Sequence, residues 1–315
     1  MNAKWKRRLQ RSGWILLGVF ILMNIVACFH AYNFTHFSNK SIAKTKDRKD
    51  MPLGEKLKAL FMGINNPRPS NLILPSHPFQ TITLQSNTSI ECWLIKAEVP
   101  KGTFILFHGY GASKSQMLDK ADEFLKLGYN TLLVDFMGSG GSGGNQTTIG
   151  YKEAEEVKTC FEYIQHRGEK NIYLFGTSMG AAAVLKAVHE YPIAPRGIIV
   201  ECPFGSMYQT VSARFHSLGV PAFPMSGLLV FWGGVVNGFP AFDHKPAEYA
   251  KDIQCPTLLL YGAKDEKVSK EEIYSIYTNL KGRKQLQVYP NAAHENYLRQ
   301  YRDRWIQDVA LFLKK

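Results

Sequence analysis

Residues 171–190 read N-I-Y-L-F-G-T-S-M-G-A-A-A-V-L-K-A-V-H-E, and they restrict the fold more than any other stretch. A short β-prone apolar run ends at Gly176, and good helix formers begin after Ser178. Between them lies Gly176-Thr177-Ser178-Met179-Gly180, a G-x-S-x-G. The expected path is a buried strand, a sharp turn through a strained Ser178, and a helix. That turn lifts the serine side chain above the carboxyl edge of a sheet. The flanking glycines carry no Cβ, so strand and helix can approach closely. The helix N-terminus behind Ser178 favours negative charge there. The bland alternative is a Gly/Ser turn between ordinary elements. The strand–turn–helix setting favours an activated nucleophile.

A chain of 315 residues holds one large domain or two small ones, and 45% hydrophobic content suits a globular protein with a large core. The five cysteines (Cys28, Cys92, Cys160, Cys202 and Cys255) are odd in number and scattered. No C-x-x-C or metal-like spacing occurs, so neither a disulfide framework nor a zinc site is expected. The net charge is +12, and residues 1–50 carry +8 of it. That charge brackets an apolar run rather than decorating a domain, which argues against a nucleic-acid partner.

The apolar run is Gly13 to Phe29, without a charged residue. It is near the lower limit for crossing a bilayer, roughly 17 residues, with Trp14 and Tyr32 placed for the two interfaces. Three readings stand. The first is an uncleaved signal-anchor helix over 13–32, after a basic segment 1–12. The second is a cleaved signal peptide. Within it, Ile25-Val26-Ala27-Cys28 resembles a bacterial lipoprotein cleavage box that would lipidate Cys28, though Asn24 weakens the match. The third is a buried core helix. Five basic residues before the run favour a cytoplasmic N-terminus and an extracytoplasmic domain. The basic cluster at 40–49 works against this.

Residues 33–78 are polar, basic and punctuated by Pro67, Pro69, Pro75 and Pro78, which predicts a stalk with one short helix over 53–62. From Phe79 onward, 80–84 and 90–97 alternate like a half-buried hairpin. Strands are predicted at 103–107, 130–134, 172–175, 197–200, 257–261 and 285–289. Helices are predicted at 115–127, 151–166, after Ser178, at 270–280 and at 295–313. Residues 203–250 read as irregular and apolar. A hairpin followed by alternating strands and helices predicts an α/β fold, a mostly parallel sheet covered on both faces. Ligands of such sheets bind at the carboxyl ends of strands. His108, Asp135, Ser178 and Asp265 all follow strands there.

Over residues 79–315 the chain resembles the α/β-hydrolase superfamily. The resemblance rests on H-G-Y-G at 108–111, D-F-M-G-S-G-G-S at 135–142, G-T-S-M-G at 176–180, Y-G-A-K-D-E-K-V at 261–268 and A-A-H-E-N at 292–296, in that order. The pattern is most similar to the serine-hydrolase branch with monoacylglycerol-lipase-like and membrane-anchored Bem46-like proteins. It implies an eight-stranded-type sheet, a cap, and no cofactor or metal. One departure is Phe136-Met137-Gly138, where many relatives carry an aromatic followed by Arg-Gly. That arginine usually supports the loop, so another group must support it here.

In this pattern Ser178 is the expected nucleophile. A serine hydroxyl needs an adjacent base, and His294 sits after the last strand and before the final helix. Among the other histidines, His30, His36 and His77 lie in the tail or linker. His166 and His189 lie on helices, His216 and His244 in the insertion. His108 is read as loop scaffold. Asp265, after strand 257–261 and Gly262, is the expected orienting carboxylate, with Glu266 a weaker candidate. Asp243 and Asp252 read as a turn and a surface residue. The order Ser178, Asp265, His294 is that of the resembled superfamily. The oxyanion hole is expected from the backbone N–H groups of Tyr110 and Met179, whose side chains should matter less. Asp135 reads as structural.

Gly138 to Gly143 formally matches G-x-G-x-x-G after a strand. No helix opens at once, and the next strand ends in Gly176 rather than an acid, so dinucleotide binding is not expected. From Phe215 to Phe242 there is no Asp, Glu, Lys or Arg. Its prolines and glycines argue against a second span, and a cap over the site at about 203–250 is expected. An apolar cap beside a membrane anchor suits an acyl chain, although cap residues must be apolar merely to pack. The expected substrate is therefore a carboxylic ester, with a lipid ester as the finer reading. An amide or peptide substrate, or a non-catalytic tethered binding module, are the alternatives.

Overall fold

The computed structural model describes residues 3–38, 52, 54, 63, 66–217 and 219–314. The expected short helix at 53–62 falls almost entirely outside them.

The chain opens with helix α1, Ala3–Thr35, 33 residues long, on the order of 50 Å at 1.5 Å per residue. It extends the expected 13–32 segment in both directions and absorbs the basic residues of 1–12. Residues 4–22 are exposed, whereas Ala27, Ala31 and Thr35 are buried. These recur every fourth residue, so one stripe of small side chains meets the domain.

Strands β1 (Phe79–Gln85) and β2 (Ser89–Ile95) form the expected hairpin. Then come β3 (Thr103–Phe107), a single 3-10 turn at Lys114–Met117, helix α2 (Leu118–Lys126), β4 (Asn130–Val134), α3 (Glu153–His166), β5 (Ile172–Thr177), α4 (Met179–Glu190) and β6 (Gly197–Glu201). The segment read as irregular is in fact mostly helical: α5 (Met207–His216), α6 (Met225–Asn237) and the single turn α7 (Pro246–Tyr249). Three glycines lower the intrinsic helix propensity of α6, but its packing against α1 overrides it. The chain finishes with β7 (Thr257–Gly262), α8 (Lys270–Asn279), β8 (Lys284–Tyr289), α9 (Tyr297–Gln300) and α10 (Arg302–Leu313). The last two were expected as one helix. Tyr301, at φ −133°, breaks it.

The eight strands form one sheet in the order β1-β2-β4-β3-β5-β6-β7-β8. β2 runs antiparallel to β1 and β4, and the remaining neighbours are parallel. Alternate residues of each strand feed opposite layers. Ile105, Phe107, Leu132 and Leu174 pack under α3 and α4. Phe104, Leu106, Leu133 and Phe175 pack with Phe124 of α2 and Trp305, Val309 and Phe312 of α10. Burial on both faces explains why these strands read as continuous apolar runs.

The segment read as a stalk makes hydrogen bonds to the domain at residues 69–71. Ser113 Oγ donates to Ser70 O at 3.0 Å, and Asn71 Nδ2 donates to Asp135 Oδ2 at 2.7 Å. Gly140 N donates to Pro69 O at 2.9 Å.

Candidate active site

Ser178 sits between β5 and α4 with φ 53° and ψ −110°, a strained conformation for a residue with a side chain. The strain is over-determined by close backbone packing. A Cβ on Gly176 would lie 2.5 Å from the Gly180 carbonyl carbon, and one on Gly180 would lie 2.3 Å from Phe107 O. Only glycine lets β5, α4 and β3 approach so closely. Ser178 N donates to Glu201 O at 2.8 Å, which fixes the turn to β6. The Glu201 carboxylate beneath is fully buried and accepts from Thr177 Oγ1 (3.0 Å) and Trp305 Nε1 (2.8 Å). Lys120 Nζ, also buried, lies 3.5 Å from it.

Asp265 follows β7, and its N–H donates to Gly262 O at 3.1 Å. Its Oδ1 accepts from the backbone of Lys267 (2.8 Å) and Val268 (3.0 Å). Its Oδ2 lies 2.7 Å from His294 Nδ1. His294 Nε2 lies 3.0 Å from Ser178 Oγ. The three residues, 116 positions apart at the extremes, thus form one hydrogen-bonded chain. The backbone bonds to Oδ1 leave Oδ2 to receive Nδ1–H, so Nε2 faces the hydroxyl as an acceptor. The Asp265 side chain is wholly buried, while that of His294 keeps 17% of its surface open.

Burial disfavours the His294 imidazolium. The Cys202 sulfur and the Asp265 carboxylate favour it and outweigh burial, so the histidine is raised above its ordinary value. Cys202 lies buried at φ 41° just after β6. Ligand atoms of Cys202, Asp265 and His294 all lie within 4.8 Å of one another. Among the described residues this is the one cluster with metal-ligand character, and two of its members already serve the hydrogen-bonded chain.

Met179 occupies the first position of α4, where backbone N–H groups lack intrahelical acceptors. A Cβ on Gly109 would lie 3.7 Å from that of Ser178, so the Gly109–Tyr110 backbone passes beside the serine. His108 is buried, accepts from Phe136 N at Nε2 (3.1 Å), and donates from Nδ1 to Gly109 O (2.8 Å). Burial lowers its proton affinity, which suits a neutral scaffold. Of the remaining histidines, His189 pairs with Asp252 at 2.6 Å, and His244 is buried against Ile149 O at 3.0 Å.

Asp135 is buried and bound to the Lys114 ammonium, to Lys114 N (2.7 Å) and to Gly141 N (2.9 Å). The Gly-rich loop turns its N–H groups inward. Gly138 N bonds Gly143 O, and Gly143 N bonds Ser89 O. Its carbonyls at Ser139, Gly140, Ser142 and Gly144 receive the guanidinium of Arg68. Arg68 therefore supplies, from about 70 residues upstream, the support that residue 137 does not. An arginine so distant in sequence has no local signal to reveal its role.

A protein-family model described as serine aminopeptidase S33 matches residues 98–229. A second, described as PhoPQ-activated pathogenicity-related protein, matches residues 243–314. The chain is 26% identical over 217 residues to the uncharacterised protein YqkD of Bacillus subtilis, covering 67% of this chain and 70% of YqkD. It is 28% identical over 131 residues to mouse ABHD8, covering 40% of this chain and 28% of ABHD8. Among solved structures, the Pyrococcus furiosus esterase Pf2001 superposes with a TM-score of 0.66 at 25% identity, covering 79% of this chain and 97% of the esterase. An esterase from Exiguobacterium antarcticum superposes with a TM-score of 0.58 at 18% identity, covering 75% of this chain and all of the esterase, a likeness of fold alone. A chain that shares its sheet with an esterase along nearly the esterase's full length, and a quarter of the aligned residues, belongs to the α/β-hydrolase superfamily and is a hydrolase.

Proposed function

We propose that this hydrolase is a membrane-anchored serine esterase working through an acyl-enzyme. Ser178 Oγ attacks the ester carbonyl while His294 Nε2 takes its proton. The same imidazolium then protonates the departing alkoxide. Water, deprotonated by His294, releases the acid and restores Ser178. Asp265 holds the imidazole in the required tautomer and stabilises its cation. The N–H groups of Tyr110 and Met179 would receive the carbonyl oxygen as it becomes charged, each worth about 10²–10³ in rate. The observation that carries this reading is the Ser178–His294–Asp265 hydrogen-bonded chain at the open carboxyl edge of the sheet.

A lipid ester is the favoured substrate. A groove of about 730 Å³ runs between α1 and α6, lined by Phe20, Ile25, Phe29, Tyr32, Trp232 and Val236 among others. Its walls are almost wholly apolar, suited to an acyl chain. The apolar length of α1 supports a membrane anchor, and its basic first turns favour a cytoplasmic N-terminus. Cys28, the residue of the lipoprotein-like box, lies mid-helix in this groove wall. An amide or peptide substrate is the second reading, favoured by the aminopeptidase description of the matching family model.

The test is fluorophosphonate labelling of the detergent-solubilised full chain beside Ser178→Ala and His294→Ala. Labelling should vanish in the first and fall by at least about 10³-fold in the second. A panel of esters of increasing acyl length, with matched amides, then ranks the substrates. A folded wild type that stays unlabelled, or a labelled Ser178→Ala, would overturn the assignment.

A further inference from the structure

The end of α1 does not stop at the domain surface. Phe34 stacks on the ring of Tyr110, centroids 4.4 Å apart and 12° from parallel. Tyr110 Oη donates to Phe34 O at 2.7 Å and accepts from Asn66 Nδ2 at 2.8 Å. The same Asn66 amide donates to Phe34 O at 3.0 Å. On α5, the Arg214 guanidinium lies 4.1 Å from the Phe34 centroid and 6.0 Å from that of Tyr110. The last residue of α1 and the chain just after it tie to the segment between β4 and α3: Thr147 N donates to Thr35 O (2.8 Å) and Phe37 N to Asn145 O (2.6 Å).

From the sequence, the Tyr110 side chain was expected to matter little, because only its backbone N–H is assigned chemistry. The structure gives that side chain three partners from three separate elements. Its backbone lies in the turn beside Ser178, between Gly109 and Gly111, the latter at φ +66°. A turn flanked by two glycines has little rigidity of its own. An oxyanion donor must nevertheless sit about 2.7–3.1 Å from where the charge develops.

We propose that Phe34, Asn66 and Arg214 form a clamp on the Tyr110 side chain that positions its backbone N–H toward the oxyanion. The membrane helix is then a component of the active site as well as its tether. These three are positioning residues, since none is assigned contact with the reacting atoms. The inference rests on the esterase reading above. A misplacement of about 1 Å in such a group can cost on the order of 10² in rate. Mere packing would lower stability instead and leave the turnover of the folded enzyme unchanged.

The test uses the full chain in detergent micelles with a short, water-soluble p-nitrophenyl ester, comparing Phe34→Ala, Phe34→Tyr and Arg214→Gln. The clamp predicts that Phe34→Ala loses about tenfold or more in kcat, with KM within about twofold and the pH profile unmoved. The fluorophosphonate labelling rate should fall in parallel, because the phosphonyl oxygen uses the same donors. Phe34→Tyr, which keeps the ring, should recover to within about threefold. Arg214→Gln should fall between them. Full kcat in folded Phe34→Ala, or a loss that Phe34→Tyr does not restore, would overturn the clamp alone. A folded wild type that fails to label would overturn the esterase reading and the clamp together.

Discussion

At the scale of single residues, the proposed base is the most exposed to test. His294 is raised because Asp265 and Cys202 stabilise its charged form against the opposing pull of burial. A base acts only when unprotonated, so a raised pKa moves the gain of activity to higher pH. We expect kcat/KM on a soluble ester to climb with pH through one ionisation above 6.5, the ordinary histidine value. Cys202→Ala removes one stabiliser of the cation, so the midpoint should move down. A midpoint below 6.5, or an upward shift in Cys202→Ala, would contradict that account. Ser178, Asp265 and His294 were legible as candidates because each closely follows a strand that its own apolar run reveals. Cys202 was not, because its relation to His294 depends on β6 lying beside β7 in the sheet. Arg68 and Phe34 were opaque for the same reason. The loop carbonyls that Arg68 binds and the Tyr110 hydroxyl that binds Phe34 O lie 71 to 76 residues away, and nothing in the local pattern marks the contact.

Elements meet at a few points of backbone-to-backbone contact, and these carry the sharpest stability predictions. Gly180 sits where α4 crosses β3, and a methyl group there would meet a main-chain oxygen at 2.3 Å. No rotamer change relieves such a contact. Gly180→Ala should cost several kcal/mol, or about 3 as a working figure for overpacking, read as a fall in Tm and in folded yield. Beneath the same turn, Lys120 and Glu201 form a buried pair tied to Asn296 Oδ1 and Trp305 Nε1. Glu201→Leu strands the lysine charge and should destabilise by about 3–5 kcal/mol. The double change Lys120→Met with Glu201→Leu should recover part of that loss in denaturant titrations. The strands of this core were easy to read, since continuous apolar runs signal burial on both faces. The helices of 203–250 were not. Their prolines and glycines suggest irregular chain, and only the docking of α6 on α1 explains why a helix persists there.

For the molecule as a whole, the question is where water ends. α1 and α6 lie side by side, joined by Trp232 Nε1 to Asn24 Oδ1 at 3.1 Å and by Asn237 Nδ2 to Thr35 Oγ1 at 3.0 Å. The first bond lies within the charge-free run of α1, so an anchor seated in a bilayer carries part of α6 with it. α6 has the composition for that place. It bears no charged residue, and its outward face shows Phe231 at 49% and Val235 at 55% exposure. A helix apolar on every side is at home in a core or in lipid, and this outward face has no protein over it among the described residues. With α1 as the proposed membrane anchor, α6 would rest in the membrane and its groove against α1 would be offered to acyl chains. Phe231→Glu places a charge on that face, at a cost of about 2–3 kcal/mol if the residue meets hydrocarbon. Hydrolysis of a long-chain ester embedded in vesicles should therefore fall about 30-fold or more. A short water-soluble ester should be cleaved within about twofold of wild type, because Phe231 is neither a member of the proposed triad nor one of the clamp residues. Equal activity on both substrates would show that the outward face of α6 stays in water. Equal loss on both would mean that the charge disturbs the domain itself. Only the split between the two substrates places this helix at the lipid surface.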